Sequence, residues 1–336
     1  MTSSKHFSRN VIKAIVLFAI VVATLGITSW NSELKSSKKH HPEKEAPAIK
    51  ELTIPVDGAE LYVKVIGKGR PILFIHGGPG LVHNYFLPYT ERLLPYGYQL
   101  IFYDQRGNGK SPSFSPDSIK LDLFVQDIES IRKKLGVEKL VLFGHSFGGY
   151  LAYLYALKYP EHVDAIIGCD VGPLTEKQNE EVSAGWKKQL EQVDLKAIKE
   201  LPGMSEAAKG MPDDFLKIMA NRFYNKNVLA DFLVSTHTEF MNPAKAEEVQ
   251  NRLYREMEKT LLYKNVYEKP KAYALFIHGA EDPIPVSSSE YWVKLFDGRL
   301  QIINGSNHFP FVEKPDEVAR VVNEFLTAKK SNYKVE

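Results

Sequence analysis

KLVLFGHSFGGYLA, residues 139–152, is the stretch on which the reading of this chain turns. Its opening LVLF is an unbroken apolar run, which suits a strand covered on both faces, as in a parallel sheet. Gly144-His145-Ser146-Phe147-Gly148 follows and fits G-x-S-x-G, a sharp strand-to-helix turn that lifts a serine hydroxyl above the carboxyl edge of the sheet. The glycines let neighbouring backbone approach, and the helix start favours negative charge beside the serine. Glycine and serine are common, so the motif gains force only from partners elsewhere in the chain.

The flanking sequence alternates strand and helix. ELTIPV and AELYVKVIG, separated by Asp57-Gly58, read as an antiparallel opening hairpin, and PILFIHGG as a buried parallel strand ending in a glycine loop. A helix around Tyr89 to Leu94 and the strand QLIFYDQRG come next. A long helix then carries Leu121, Phe124, Val125, Ile128, Ile131 and Leu135 at helical spacing, stopping at Gly136. VDAIIGCDVG, AYALFIHG and LQIIN read as further strands, with helices near Ser289 to Phe296 and Pro315 to Ala328. The fold class expected is α/β, a mostly parallel, doubly wound sheet. Residues 51–172 and 271–336 form its core. Residues 173–270, where Val249, Leu253, Met257 and Leu261 recur at four-residue steps, form an inserted helical lid.

An alcohol needs a base poised near neutral pH, in practice a histidine. Of ten histidines, His308 follows the last strand and so reaches the same sheet edge as Ser146. Asp282 follows AYALFIHG and is the acid expected to orient His308; Asp170, which also ends a strand, ranks second, and Glu281 is a further competitor. For the oxyanion that acyl transfer builds, the expected donors are the N–H of Phe147 and the N–H of Gly78 in the loop after PILFIHGG. His76 and His145 read as packing or hydrogen-bonding residues, and Arg106 and Asp104 as braces of the oxyanion loop. A histidine base implies loss of activity toward acid pH.

His76-Gly77-Gly78-Pro79-Gly80 together with Asp104-Gln105-Arg106-Gly107-Asn108-Gly109-Lys110-Ser111 resembles the proline iminopeptidases, α/β-hydrolases that release an amino-terminal proline from peptides. The resemblance covers the sheet portions and not the lid. It implies the same triad, Ser146, Asp282 and His308, with Gly78 and Phe147 as oxyanion donors. It also implies lid carboxylates that hold the substrate's free amine, for which Glu176, Glu180 and above all Glu239 are available. Many iminopeptidases carry tryptophan where this chain has Phe147. Phe223, Tyr224 and Phe240 are candidates to line an apolar pocket, although core packing is their commoner fate.

Composition agrees with one folded enzyme. The chain has 336 residues, 44% apolar and 25% charged, with a formal charge of +2. No basic run interleaved with aromatics points to nucleic acid. The single cysteine, Cys169, forms no intrachain disulfide and reads as a buried strand thiol. No metal or other cofactor is implied, because no histidine-carboxylate group has ligand spacing. Residues 1–30, with Lys5, Arg9 and Lys13 before an apolar stretch from Ala14 to Trp30, read as a signal anchor or signal peptide; lysine-rich residues 31–50 read as a tether. The expected location is outside the cytoplasm, membrane-anchored or secreted. The expected partner is a small-molecule or short-peptide substrate, with membrane contact through an uncleaved leader. A carboxylesterase on the same machinery is the near alternative, and a non-catalytic binding protein on this fold the distant one.

Overall fold

Parallel pairing dominates the sheet because its inner strands are apolar on both faces. In the computed structural model, which describes residues 46–112, 115–237, 243–261 and 267–332, eight strands lie in the order β1-β2-β4-β3-β5-β6-β7-β8. β1 (Ile49–Val56) and β2 (Ala59–Ile66) form the expected antiparallel hairpin, and β2 pairs antiparallel with β4 (Tyr98–Tyr103). From β4 onward every pair is parallel: β3 (Arg70–Ile75), β5 (Leu140–His145), β6 (Val163–Cys169), β7 (Ala274–Gly279) and β8 (Arg299–Ile303). β1 begins at Ile49, so residues 49–50 belong to the sheet and not to the tether. The leader and residues 31–45 of the tether lie outside the described residues. Among those described, no helix is long and apolar enough to cross a membrane.

Alternate side chains of each strand enter opposite cores. Phe74, Phe102 and Phe143 meet on one face, with the Phe74 ring 4.8 Å from Phe102 and 5.1 Å from Phe143; Leu73, Ile75 and Leu142 fill the other. That second face is covered by α1 (Leu121–Leu135), whose Phe124, Val125, Ile128 and Ile131 are buried, and by α2 (Phe147–Lys158). α1 ends at Gly136, left-handed at φ 67, as its sequence predicts. The segment expected as a helix near Tyr89 is a 3-10 turn, Tyr89–Tyr96, because Pro95 inside it has no N–H to donate.

Between β6 and β7 the described residues hold helices only: α3 (Glu176–Glu191), α4 (Leu195–Lys199), α5 (Met204–Ala207), α6 (Asp213–Asn221), α7 (Leu229–His237) and α8 (Pro243–Thr260). Thr175 and Gln178 close a reciprocal capping box at the start of α3. Val249, Leu253, Met257 and Leu261 are all buried, so their four-residue spacing marks a core-facing stripe. α9 (Val286–Phe296), the short α10 (Pro310–Glu313) and α11 (Pro315–Asn332) complete the chain.

Candidate active site

β5 ends at His145 and α2 begins at Phe147, which leaves Ser146 alone at the corner. Its backbone takes φ 52, ψ −117, a strained region for a side-chain-bearing residue that persists only where the surroundings enforce it. Close backbone packing does so here. A Cβ on Gly144 would lie 2.6 Å from the Gly148 oxygen, and one on Gly148 only 2.0 Å from the Ile75 oxygen, so β3, β5 and α2 meet at distances that glycine alone permits. The Ser146 N–H donates to Cys169 O at 2.9 Å and ties the corner to the end of β6.

His308, in the loop between β8 and α10, presents Nδ1 2.7 Å from Asp282 Oδ2, with both side chains buried. Asp282 follows β7, and its other oxygen accepts the Ile284 N–H at 3.0 Å. A carboxylate partner assigns the proton to Nδ1, which leaves Nε2 as the basic nitrogen. The His308 N–H donates to Asn307 Oδ1 at 2.7 Å and to Arg222 O at 3.1 Å. His308 and Ser146 are joined through His145, whose Nε2–H donates to His308 O at 2.8 Å and whose ring centroid lies 4.9 Å from that of His308.

That histidine starts a relay to the glycine loop. Burial pushes the His145 imidazole well below its ordinary value, so the ring is neutral, and its Nδ1 accepts from Tyr85 Oη at 2.8 Å. Burial likewise pushes the Tyr85 phenol up, keeping its proton, and Tyr85 Oη accepts the Gly77 N–H at 2.6 Å. The Gly77 amide is thereby occupied. The next amide, Gly78, has no hydrogen-bond partner among the described residues, and Phe147, as the first residue of α2, has its N–H ahead of the first intrahelical bond. Both amides expected as oxyanion donors are thus without a partner among the described residues.

Gln105 braces the glycine loop, where sequence reading assigned that part to Arg106 and Asp104. The Gln105 N–H donates to His76 Nε2 at 3.0 Å and its side-chain amide to His76 O at 2.7 Å; burial lowers His76 to about 4, against the pull of Asp104. Asp104 holds the far end of the loop through the N–H and Nδ1 of His83, each at 2.8 Å. Arg106 turns away and forms a buried two-pronged pair with Asp127 of α1, at 2.8 and 2.6 Å, because only there does a carboxylate meet its guanidinium fork.

Asp170, the second-ranked acid, accepts the Gly279 N–H at 2.9 Å and sits, at φ 45, in contact with Asp282. Glu281 is exposed. Ligand atoms of Asp170, Asp282 and His308 lie within 4.8 Å of one another, a grouping that tertiary structure creates and sequence spacing did not reveal. The 2.7 Å from His308 Nδ1 to Asp282 is a hydrogen bond, shorter than two ligands spread around a shared ion would leave. Cys169 is a buried strand thiol as expected, its acidity suppressed by burial.

Glu239 and Phe240 lie outside the described residues. Glu176 and Glu180 are exposed on α3, and Tyr224 is exposed too, while Phe223 stacks 5.0 Å from Phe309 inside the core. Three residues escaped sequence reading. Tyr85 sits in HNYF, which carries no motif, and Trp186 and Arg222 come from helices whose relation to His308 depends on long-range packing.

The α/β hydrolase fold family model matches residues 70–315. A proline iminopeptidase of Saccharolobus solfataricus is 28% identical over 288 residues, covering 80% of this chain and 89% of that protein. The solved proline iminopeptidase of Mycobacterium smegmatis superposes with a TM-score of 0.61 at 22% identity, over 83% of this chain and 98% of that one. An epoxide hydrolase from Vigna radiata gives a TM-score of 0.61 at 21% identity over the same shares. At such identities the structural likeness speaks for the fold, which hosts several chemistries.

Proposed function

The chain belongs to the α/β-hydrolase fold family, and on that footing we propose that this hydrolase is a serine enzyme acting by acyl transfer, an aminopeptidase that releases amino-terminal proline from short peptides. Ser146 is the nucleophile, His308 the general base and Asp282 its orienting acid. The observation that carries the reading is His308 gripped by Asp282 at 2.7 Å while its carbonyl is held by His145, the residue before Ser146.

Ser146 Oγ attacks the carbonyl carbon as its proton passes to His308 Nε2. The oxyanion that forms is met by the N–H groups of Phe147 and Gly78, a donor class worth about 3 to 4 kcal/mol each. The C–N bond then breaks, and His308 returns the proton to the leaving amine. Water, activated by the same imidazole, frees the acyl group. The proline assignment draws on the 28% identical relative and on the glycine-loop residues. Carboxylesterase activity is the second reading, favoured by the exposure of Glu176 and Glu180, which leaves the amine without an anchor among the described residues.

A panel of proline 4-nitroanilide, short-chain 4-nitrophenyl esters and Ser146→Ala decides between them. The expected result is turnover of the anilide that Ser146→Ala abolishes. Ester turnover dependent on Ser146 with an inert anilide would replace the peptidase by an esterase. The helices from Glu176 to Thr260 serve as the lid over this site, and residues 1–30 direct export of the chain.

A further inference from the structure

Two covered N–H donors stand beside His308 with nothing to receive them. Trp186, on α3, places its ring 6.2 Å from the His308 ring at 80°. Arg222, closing α6, sets its guanidinium carbon 4.6 Å from the centre of the Trp186 ring, and its own carbonyl accepts the His308 N–H. Trp186 Nε1 and Arg222 Nε are both shut off from solvent, and no described residue accepts a hydrogen bond from either. Nor does any described carboxylate pair with Arg222. Burial works against its charge, which the Asp282 carboxylate favours without pairing with it.

Arg222 is half-buried, and a covered Nε–H with neither counter-ion nor acceptor is costly; such groups persist where a ligand completes them. An arginine held over an aromatic ring loses little freedom on binding and presents a fork matched to a carboxylate. Position settles which part of the substrate it meets. His308 delivers its proton to the leaving nitrogen, so the leaving portion lies against His308, where Trp186 and Arg222 also stand. In a dipeptide, the free carboxylate is two bonds from that nitrogen.

Resting on the peptidase reading above, we propose that Arg222 and Trp186 bind the carboxylate of the leaving residue, so that the preferred peptide substrate is a dipeptide with a free carboxyl end. Longer peptides and arylamides carry no charge at that place.

The test compares kcat/KM for prolyl-glycine and prolyl-glycinamide, in wild type and in Arg222→Met. Wild type is expected to favour the free acid by about tenfold or more, and Arg222→Met to bring the ratio near one. A wild-type ratio at or below one, or a ratio unchanged by Arg222→Met, overturns the proposal. If neither dipeptide is cleaved, the peptidase reading fails on its own account. The same two outcomes are then read with O-acetylglycolate against its methyl ester, whose leaving alcohol does or does not carry a free carboxylate two bonds from the leaving oxygen. Should Arg222→Met fail to fold, Trp186→Phe takes its place: it keeps a ring under the guanidinium and removes the indole N–H. It is expected to lower the acid-to-neutral ratio about threefold, and an unchanged ratio overturns the carboxylate site.

Discussion

Asp170 and Asp282 touch, and one of them must give up its charge. Burial pushes the Asp170 carboxyl well above the ordinary range, and the charge on Asp282 adds to the push. Burial also pushes Asp282 upward, but the His308 ring holds it, on balance, below that range. At neutral pH the pair therefore carries one proton, on Asp170. As pH rises above the ordinary carboxylate range, the unfolded chain releases a proton that folded Asp170 keeps, so this group costs stability with rising pH until its raised folded value is passed. Asp170→Asn is neutral throughout and escapes that cost. Its stability relative to wild type should climb as pH rises from the ordinary carboxylate range to neutrality, by at most about 1.4 kcal/mol per pH unit. Urea midpoints taken at intervals across that range check it, and a difference that stays flat would mean Asp170 is ionised. Sequence reading ranked Asp282 above Asp170 although each ends a strand, and in the fold it is Asp282 that meets His308, at 2.7 Å. What position could not show is that the loser remains as a neutral neighbour, because that depends on burial.

At the level of elements, the elbow is a three-way backbone crossing, and the local sequence describes it almost completely. The apolar run before Gly144, the spacing of Gly144 and Gly148, and the helical pattern after them are local signals, and β5, Ser146 and α2 lie where those signals put them. Gly148→Ala places a methyl carbon 2.0 Å from the Ile75 oxygen, backbone against backbone, with no flexible end to yield. The expected outcome is loss of soluble protein, or a destabilisation of about 3 kcal/mol or more by urea titration. A variant with the wild-type midpoint would contradict the close approach of α2 to β3. The role of Gln105 was illegible for the opposite reason. Which member of Asp104-Gln105-Arg106 reaches the glycine loop depends on how the chain leaves β4, and the nearest carboxylate to Arg106 comes from α1.

Over the whole molecule, the sheet gathers Ser146, Asp170, Asp282 and His308 from the carboxyl ends of β5, β6, β7 and β8, although 162 positions separate the first from the last. Alternating strands and helices made that convergence readable, since each parallel crossover returns the chain to the same edge. The helices between β6 and β7 were readable as helices, but not in their placement, which is why Trp186 and Arg222 emerged only from the fold. The proposed export belongs to this scale too. A cell expressing the full chain should carry the activity in its membrane or extracytoplasmic fraction, and a chain lacking residues 1–45 should keep its activity but remain in the cytosol; full-length activity confined to the cytosol would refute the leader. The central claim, that Ser146 is a nucleophile activated by His308, is most directly met by mass spectrometry after reaction with a fluorophosphonate. The account predicts one adduct per chain, on the peptide containing Ser146, absent in Ser146→Ala and formed at least about 100-fold more slowly in His308→Ala. An adduct on another residue, or none in a preparation that turns over substrate, would contradict it.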